Sequence, residues 1–146
     1  MSSFTEAGRH YTIRFLLDSL YEVVRAFEYY SDLLPPEDNI IHVPEGEVTD
    51  GASIPWFLRW LIPIWGVHGA AAIIHDLLYR KKKYHRKLCD QIFLEAMLVL
   101  KVNKLKASFM YFGVRLFGWW YYHEYDIGVK EWCSSVKKNL IRLLRS

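Results

Sequence analysis

Two ionisable neighbours, His75 and Asp76, interrupt the apolar run that begins at residue 70, and another acid, Asp90, interrupts a second apolar stripe fifteen positions after the histidine. A carboxylate that is hydrogen-bonded to one imidazole nitrogen fixes the ring tautomer and leaves the other nitrogen as a base near neutral pH. Such a base can activate water, and the carboxylate then stabilises the imidazolium that forms. These residue types therefore indicate general-base hydrolysis.

The elements that must position this pair are two predicted helices, residues 70–80 and 88–102. The basic stretch KKKYH joins them, so they should fold back on each other as an antiparallel hairpin. In such a hairpin, residues equally far from the turn lie at the same height. The midpoint of 75 and 90 falls inside the turn, and we therefore predict that His75 faces Asp90.

Two neighbours of the histidine extend the candidate site. Tyr79 lies one helical turn after His75 on the same face and could donate a hydrogen bond to either acid. Asp76 projects about 100° around the helix from His75, where a hard carboxylate ligand suits Ca²⁺ or Mg²⁺. We predict His75, Asp90 and Tyr79 as the catalytic group and Asp76 as a metal ligand. The alternative is that a buried His–Asp pair only ties two helices together.

A compact polar loop lies where the β-rich part gives way to the helices, in the segment VPEGEVTDGASIPWF (43–57). One hypothesis places this loop, with Thr49, Gly51 and Ser53, over the His75 end of the hairpin, where Asp50 supplies a second metal ligand. The other hypothesis is an Asp-Gly turn in which Ser53 caps a short helix that has Pro55 in its first turn.

The remaining pattern predicts an α+β fold. Residues 21–30 and 39–51 are rich in β-branched and aromatic residues or alternate as strands do, so a small antiparallel sheet should precede the helical hairpin. Another helix is predicted over 105–122 and a short amphipathic one from Val129. A chain of 146 residues is the size of one domain, with a β-rich part over about 10–55 and a helical part over 56–146.

Composition and charge suggest a partner surface. Hydrophobic residues make up 52% of the chain, which excludes disorder for the bulk of it, and six Trp and ten Tyr indicate an aromatic core or an exposed apolar face. The net charge is only +3, but Lys and Arg cluster at 80–87 and 136–146. These clusters are either solvated or attracted to anionic lipid. Another protein is a further candidate partner, and no specific nucleic-acid recognition is expected.

The compartment follows from the cysteines and the apolar segments. Two cysteines, Cys89 and Cys133, are too few for a disulfide framework and fit a reducing compartment or at most one optional bridge. The amino terminus lacks the layout of a secretory signal, and Arg115 and two glycines interrupt the longest apolar stretch, 109–122, which is too short to span a membrane. We expect a protein that is made in the cytoplasm and does not span a membrane.

Three separated blocks carry a resemblance to a known family: VPEGEVTDGASIP, then AAAIIHDLLY, then CDQIFLEAM. In this order they resemble an uncharacterised domain family of tailed phages and prophages, whose pattern is VP-x-G-F-x-TD-x-AS-x-P, AA-x-x-HD-x-LY and AD-x-x-F-x-x-AM. Glu47 stands where an aromatic residue is usual, and Cys89 where alanine is usual. The resemblance spans residues 20–120 and implies a phage or prophage context without an established activity. In that context the protein is made in the cytoplasm of a bacterial host, its partner could be a phage or host protein, and association with a virion is left open.

A second resemblance implies chemistry. The segment AAAIIHDLLY followed by CD is similar to the core of phospholipase A2 and of the parvovirus capsid phospholipase domain, in which one helix bears His-Asp-x-x-Tyr and an antiparallel helix bears the Asp that orients the histidine. It implies that His75 is the general base, that Asp76 binds calcium, and that Tyr79 and Asp90 support the histidine. This chain has only TDGAS where those enzymes have a Gly-rich calcium loop.

Two other functions are compatible with the same residues. A metal-dependent HD phosphohydrolase would use His42 or His68 as a first ligand and Asp126 as a last one, although that class is helical throughout. A non-enzymatic phage accessory, structural or host-interacting protein would use the His-Asp block only as architecture. The expected function is a phospholipase A2-like, metal-assisted lipid ester hydrolase, with the non-enzymatic protein as the alternative.

Overall fold

The computed structural model describes residues 1–16, 20–49 and 66–124 together with Arg142 and Arg145; for residues 119–124 it describes the backbone alone. Within these ranges, short strands precede long helices. The strands are β1 (Ser3–Phe4), β2 (Ile13–Phe15), β3 (Tyr21–Val23), β4 (Phe27–Tyr30), β5 (Ile40–Val43) and β6 (Val48–Thr49). The helices are α1 (Glu6–Arg9), α2 (Gly69–Lys81), α3 (Arg86–Val99) and α4 (Lys104–Glu124), and a 3-10 turn covers Pro36–Asp38. The predicted α+β class is confirmed.

The described strands form two antiparallel sheets of three strands each, where the sequence predicted one small sheet. One sheet has the order β1-β4-β5 and the other the order β2-β3-β6. The segment 21–30, which we interpreted as one β block, changes sheet in its middle: Val23 accepts a hydrogen bond from Gly46 in one sheet, and Phe27 pairs with Val43 in the other. The chain bends between these strands, at Val24 and Arg25.

Helix α2 is the centre of the molecule. Every residue from Gly69 to Tyr79 is buried, as expected for a helix that is apolar on all sides. It contacts β5 and β6 on one side and α3 on another, and α3 in turn packs against α4 and β1. Gly69 allows a close approach, because a Cβ there would overlap the hydroxyl group of Tyr11.

Left-handed residues end both helices of the hairpin. Lys82 follows α2 with φ of 50°, and Lys101 follows α3 with φ of 60°. The side chain of His85 accepts a hydrogen bond from the backbone N–H of Leu88 at the start of α3, and Asn103 Oδ1 does the same for Leu105 at the start of α4. The chain reverses direction at both places, so α3 is antiparallel to α2 and α4 is antiparallel to α3.

The predicted hairpin of residues 70–80 and 88–102 is therefore present, with α3 beginning two residues earlier and ending three residues earlier than predicted. The helix predicted over 105–122 is also present. None of the described helices is both long enough and apolar enough to cross a membrane. The short helix predicted at Pro55 and the helix predicted from Val129 lie outside the described residues. A single domain over 1–146 stays a prediction.

Candidate functional site

The hairpin brings His75 of α2 and Asp90 of α3 into contact. Nε2 of His75 lies 2.8 Å from Oδ1 of Asp90. Asp90 is fully buried and His75 is 5% exposed. The spatial prediction that was drawn from the midpoint of the turn is confirmed for this pair, whereas the catalytic roles remain a prediction.

Tyr79 joins the same carboxylate oxygen. Its hydroxyl group donates a short hydrogen bond to Oδ1 of Asp90, because Tyr79 lies one turn after His75 on the face of α2 that meets α3. Burial, followed by the hydrogen bond to Asp90, raises the pKa of Tyr79. The phenol therefore stays protonated and acts as a donor.

Two arginines contact the other oxygen of Asp90. Nη1 of Arg115, from α4, lies 2.8 Å from Oδ2, and Nη1 of Arg86, one turn before Asp90 on α3, lies 3.6 Å from it. The hydrogen bond to Asp90 raises the pKa of Arg115. Both oxygens of Asp90 are thus engaged, one by His75 and Tyr79 and the other by the two guanidinium groups. We call Asp90 with these four partners the Asp90 cluster.

The protonation state of Asp90 fixes the tautomer of His75. Burial by itself raises the pKa of Asp90, but the hydrogen bonds from His75, Tyr79 and Arg115 outweigh burial and hold this pKa below its ordinary value. An ionised carboxylate only accepts hydrogen bonds, so Nε2 of His75 carries the proton in this contact and Nδ1 is the acceptor nitrogen. This tautomer is the one that a general base requires.

Aromatic rings and a glycine shape the space around this pair. The imidazole ring of His75 contacts the rings of Tyr79 and Phe93, with centroids 4.1 Å and 4.7 Å away. Helix α4 covers Tyr79 at Gly118, where a Cβ would lie 2.8 Å from the phenolic oxygen. Arg86 holds α4 in this position through hydrogen bonds to the carbonyl oxygens of Val114 and Arg115, at 3.2 Å and 3.1 Å.

Asp76, the predicted metal ligand, contacts an arginine. Its Oδ2 lies 3.2 Å from Nη2 of Arg80, which also lies 2.5 Å from Oε1 of Glu47. Across the part of the chain that the structure describes, no three His, Cys, Asp or Glu side chains form a group that could hold a metal ion. The described residues thus do not by themselves fit a calcium site, since a guanidinium group already lies between the two nearby carboxylates.

The predicted loop is described only in part. Thr49 is fully buried in β6, the strand that packs against α2. Asp50, the other predicted metal ligand, lies outside the described residues together with Gly51 and Ser53, so both hypotheses for the loop stay predictions.

The histidines of the phosphohydrolase alternative lie apart. His42 is exposed on β5 and lies 3.4 Å from Glu28. His68 is buried at the start of α2, two helical turns before His75, which corresponds to about 10 Å along the axis. Asp126 lies outside the described residues.

A second carboxylate on α3 also collects hydrogen bonds. Glu95 is half-buried and accepts them from the hydroxyl groups of Ser2, Tyr29 and Ser31, at 2.6, 2.8 and 2.6 Å, and from the backbone N–H of Asp32 at 3.1 Å. All four donors are neutral and come from β1, β4 or the residues beside them. We call this group the Glu95 cluster; it ties α3 to the first sheet.

Comparison with known proteins places the chain in a family. Residues 21–114 match the model of the family described as protein of unknown function (DUF1353). The chain belongs to DUF1353. No curated protein and no solved structure matches it.

The DUF1353 match covers most of the Asp90 cluster. It begins at the first residue of β3 and ends at Val114 within α4, so it includes His75, Tyr79, Arg86 and Asp90. Arg115 follows directly after the matched segment. Three residues of this DUF1353 chain that contribute to the site were not predicted from the sequence, namely Arg86, Arg115 and Gly118.

Two of these three residues left a signal in the sequence. Arg86 stands four positions before Asp90, a spacing that brings side chains together on a helix. Arg115 is the lone charge within the apolar stretch 109–122, and a lone charge on a packed helix requires a partner. Gly118 gave none, because the need for glycine there arises only when α4 packs against Tyr79.

Proposed function

We propose that this DUF1353 chain is a phospholipase A2-like hydrolase of lipid esters in which His75 is the general base. The observation that supports this proposal is the 2.8 Å contact between Nε2 of His75 and Oδ1 of Asp90, two buried side chains on antiparallel helices. It is the arrangement that the phospholipase resemblance implies, and Tyr79 takes the supporting position that the resemblance also implies.

The chemistry that follows is the addition of water to an ester. Nδ1 of His75 takes a proton from water as the oxygen attacks the carbonyl carbon, and the imidazolium later returns that proton to the departing alcohol. The products are a fatty acid and a lysolipid, with the proton returned and no other reactant consumed. Asp90 holds the ring through Nε2 and Tyr79 donates a hydrogen bond to Asp90, so both act as positioning residues.

Calcium is a separate part of the proposal. It would bind through Asp76 and Asp50 and would polarise the ester carbonyl. Because Asp76 contacts Arg80, calcium binding requires Arg80 to give up this contact. Hydrolysis rates measured with calcium and with a chelator test this part. If the chelator leaves the rate unchanged, the role of calcium is rejected and the role of His75 as the base is not affected.

The biological context in the proposal is a phage or prophage. It is supported by the three sequence blocks VPEGEVTDGASIP, AAAIIHDLLY and CDQIFLEAM in this order, which resemble a phage domain family. In this context the protein is made in the cytoplasm of a bacterial host and is either carried in the virion or retained in the cell.

A second candidate function is a non-enzymatic phage accessory, structural or host-interacting protein. The observation that favours it is the pair of guanidinium groups on Asp90. With Arg86 and Arg115 charged, Asp90 is already compensated and has less stabilisation to offer an imidazolium. In this function the Asp90 cluster only joins α2, α3 and α4.

Fatty acid release from phosphatidylglycerol vesicles separates the two functions. We expect hydrolysis by the wild-type protein and a loss of at least a hundredfold in the His75→Asn variant, with an unchanged circular dichroism spectrum. Glu95→Gln is the matched control, because it alters the other carboxylate of α3 and should retain the wild-type rate.

The opposite results support the non-enzymatic function. If the wild-type protein releases no more fatty acid than a protein-free blank, or if His75→Asn retains the full rate, hydrolysis by His75 is rejected. In that case His75→Asn should only lower stability, by about 1–3 kcal/mol, since a buried partner loses its hydrogen bond.

A further inference from the structure

The outward face of α4 is apolar although α4 is a surface helix. Its residues follow the spacing i, i+4, i+7 and i+11, which aligns side chains on one side of a helix. They are Leu105, Phe109, Phe112 and Leu116, exposed by 79, 54, 61 and 66%. We call these four residues the α4 face.

The α4 face is distinct from the packed side of the same helix. Ala107 and Met110 are buried against the core, Val114 packs on it, and Gly118 covers Tyr79. On a helical wheel these inward positions lie about 180° from the α4 face. The inward side therefore already accounts for the fold, and the outward side adds four large apolar residues that the fold as described does not bury.

Charges at one end of the α4 face indicate its partner. No Asp or Glu occurs from residue 96 to residue 123. Exposed Lys101 and Lys104 lie at the amino-terminal end, where the backbone of α4 adds partial positive charge. An apolar strip with cations at one end complements an anionic lipid surface.

The size of the α4 face argues against a second copy of the chain as its partner. From Leu105 to Leu116 the helix rises about 17 Å, and it is about 10 Å wide. A specific protein interface of standard size buries roughly 800 Å² on each partner, which is several times this footprint. A lipid surface has no such minimum, because an interfacial helix binds by immersing a narrow apolar strip in the headgroup region.

We propose that the α4 face docks on an anionic phospholipid bilayer, with the phenylalanines immersed and the lysines at the headgroups. This inference concerns where the protein lies and holds with or without hydrolysis. Only one consequence rests on the proposed function: because Gly118, which covers Tyr79, lies on the side of α4 opposite the α4 face, docking places the Asp90 cluster about one helix diameter from the lipid.

Vesicle co-sedimentation of the full chain tests the proposal without requiring activity. We expect binding to phosphatidylglycerol vesicles that Phe109→Ser/Phe112→Ser weakens at least tenfold. Lys101→Glu/Lys104→Glu should weaken binding to these vesicles by a similar factor and leave binding to phosphatidylcholine vesicles unchanged. The matched control is Leu33→Ser/Ile40→Ser, which removes two exposed apolar side chains elsewhere and should bind as the wild-type protein does.

Three results would overturn the inference. The first is equal vesicle binding by the wild-type protein and the phenylalanine variant. The second is a dimer in sedimentation velocity that the phenylalanine variant converts to a monomer, which would make a second copy the partner. The third is a lower melting temperature of the phenylalanine variant without lipid, which would mean that another segment of this chain covers the face. If the wild-type protein binds vesicles but releases no fatty acid from them, only the proposed function is rejected.

Discussion

Helix α3 carries two carboxylates, five residues apart, that differ in burial and in the charge of their partners. Asp90 is fully buried and meets a histidine, a tyrosine and two arginines. Glu95 is half-buried and meets only three hydroxyl groups and one backbone N–H. Each carboxylate has four partners, and one of the four is a tyrosine of another element, so the number of contacts does not distinguish them. What separates them is the charge of the donors and the depth of burial.

This difference shows which cluster is able to do chemistry. A buried carboxylate surrounded by cations must stay ionised, and it then dictates the tautomer of the histidine that it holds. A half-exposed carboxylate with neutral donors fastens two elements together and has no basic partner. The Asp90 cluster is thus the candidate site, and the Glu95 cluster provides a control on the same helix.

The largest expected effect comes from neutralising each carboxylate in turn. Asp90→Asn should lower the free energy of unfolding by about 3–5 kcal/mol, because Arg86 and Arg115 lose a buried counter-ion. Glu95→Gln should lower it by only about 1 kcal/mol, since an amide oxygen still accepts from neutral donors. Urea unfolding of both variants measures the difference. Equal losses would mean that the two clusters are alike and that the comparison fails.

A second way to sharpen the comparison is to disturb the Asp90 cluster without changing a charge. In Gly118→Ala the new methyl group would lie 2.8 Å from the hydroxyl group of Tyr79, so Tyr79 or α4 must move. We expect a loss of about 1–3 kcal/mol from overpacking and a changed near-ultraviolet tyrosine signal. A fully stable variant with an unchanged signal would show that α4 does not press on Tyr79.

The pH dependence of stability should report Asp90. Because the folded pKa of Asp90 is held below its ordinary value, its stabilising effect is complete above about pH 4 and is lost as pH falls through the folded pKa. The melting temperature of the wild-type protein should therefore fall more steeply between pH 5 and 2.5 than that of Asp90→Asn, and the two melting temperatures should converge at the acidic end.

Asp38 offers the matched control for this pH series. Hydrogen bonds from Lys83 and Tyr84 lower the pKa of Asp38 as well, but its side chain is 35% exposed, so 0.5 M salt should screen part of its effect. Asp38→Asn should remove only a salt-sensitive part of the slope. If the melting temperature of Asp90→Asn changes with pH as steeply as that of the wild-type protein at every salt concentration, titration of Asp90 is not the cause of the acid destabilisation.

The smallest expected effect concerns the thiol beside Asp90. Burial, followed by the charge of Asp90, raises the pKa of Cys89 to about 12. In a Cys133→Ser background, Cys89 should react with a thiol reagent at pH 8 at least a hundredfold more slowly in the folded protein than in urea. Glu95→Gln should preserve this protection. Rapid labelling of the folded protein would contradict the tight burial of the Asp90 cluster.

The central contact could be predicted because it depends on local rules. The apolar pattern defines α2 and α3, the basic turn sets their reversal, and counting from the turn pairs His75 with Asp90. Arg86 follows the same helical spacing, and so does the contact between Asp76 and Arg80, which the prediction of a metal ligand overlooked. The helical part of the chain is thus largely encoded in short-range spacing.

The remaining contacts could not be predicted because they join distant segments. Glu95 finds its donors at Ser2, Tyr29 and Ser31, more than sixty positions away, and no pattern links these residues. Arg115 reaches Asp90 only after α4 has packed. The change of sheet within 21–30 likewise depends on which partner strands are available, and alternation alone does not specify partners.

The most direct test of the central claim is the ¹⁵N spectrum of the His75 ring. The claim is that ionised Asp90 holds His75 as the Nε2–H tautomer and leaves Nδ1 as the base. In protein with ¹⁵N-labelled histidine at pH 9, with His75 assigned through the His75→Asn variant, we predict a protonated Nε2 and an unprotonated Nδ1. A protonated Nδ1, or rapid exchange between the two tautomers, would contradict the account.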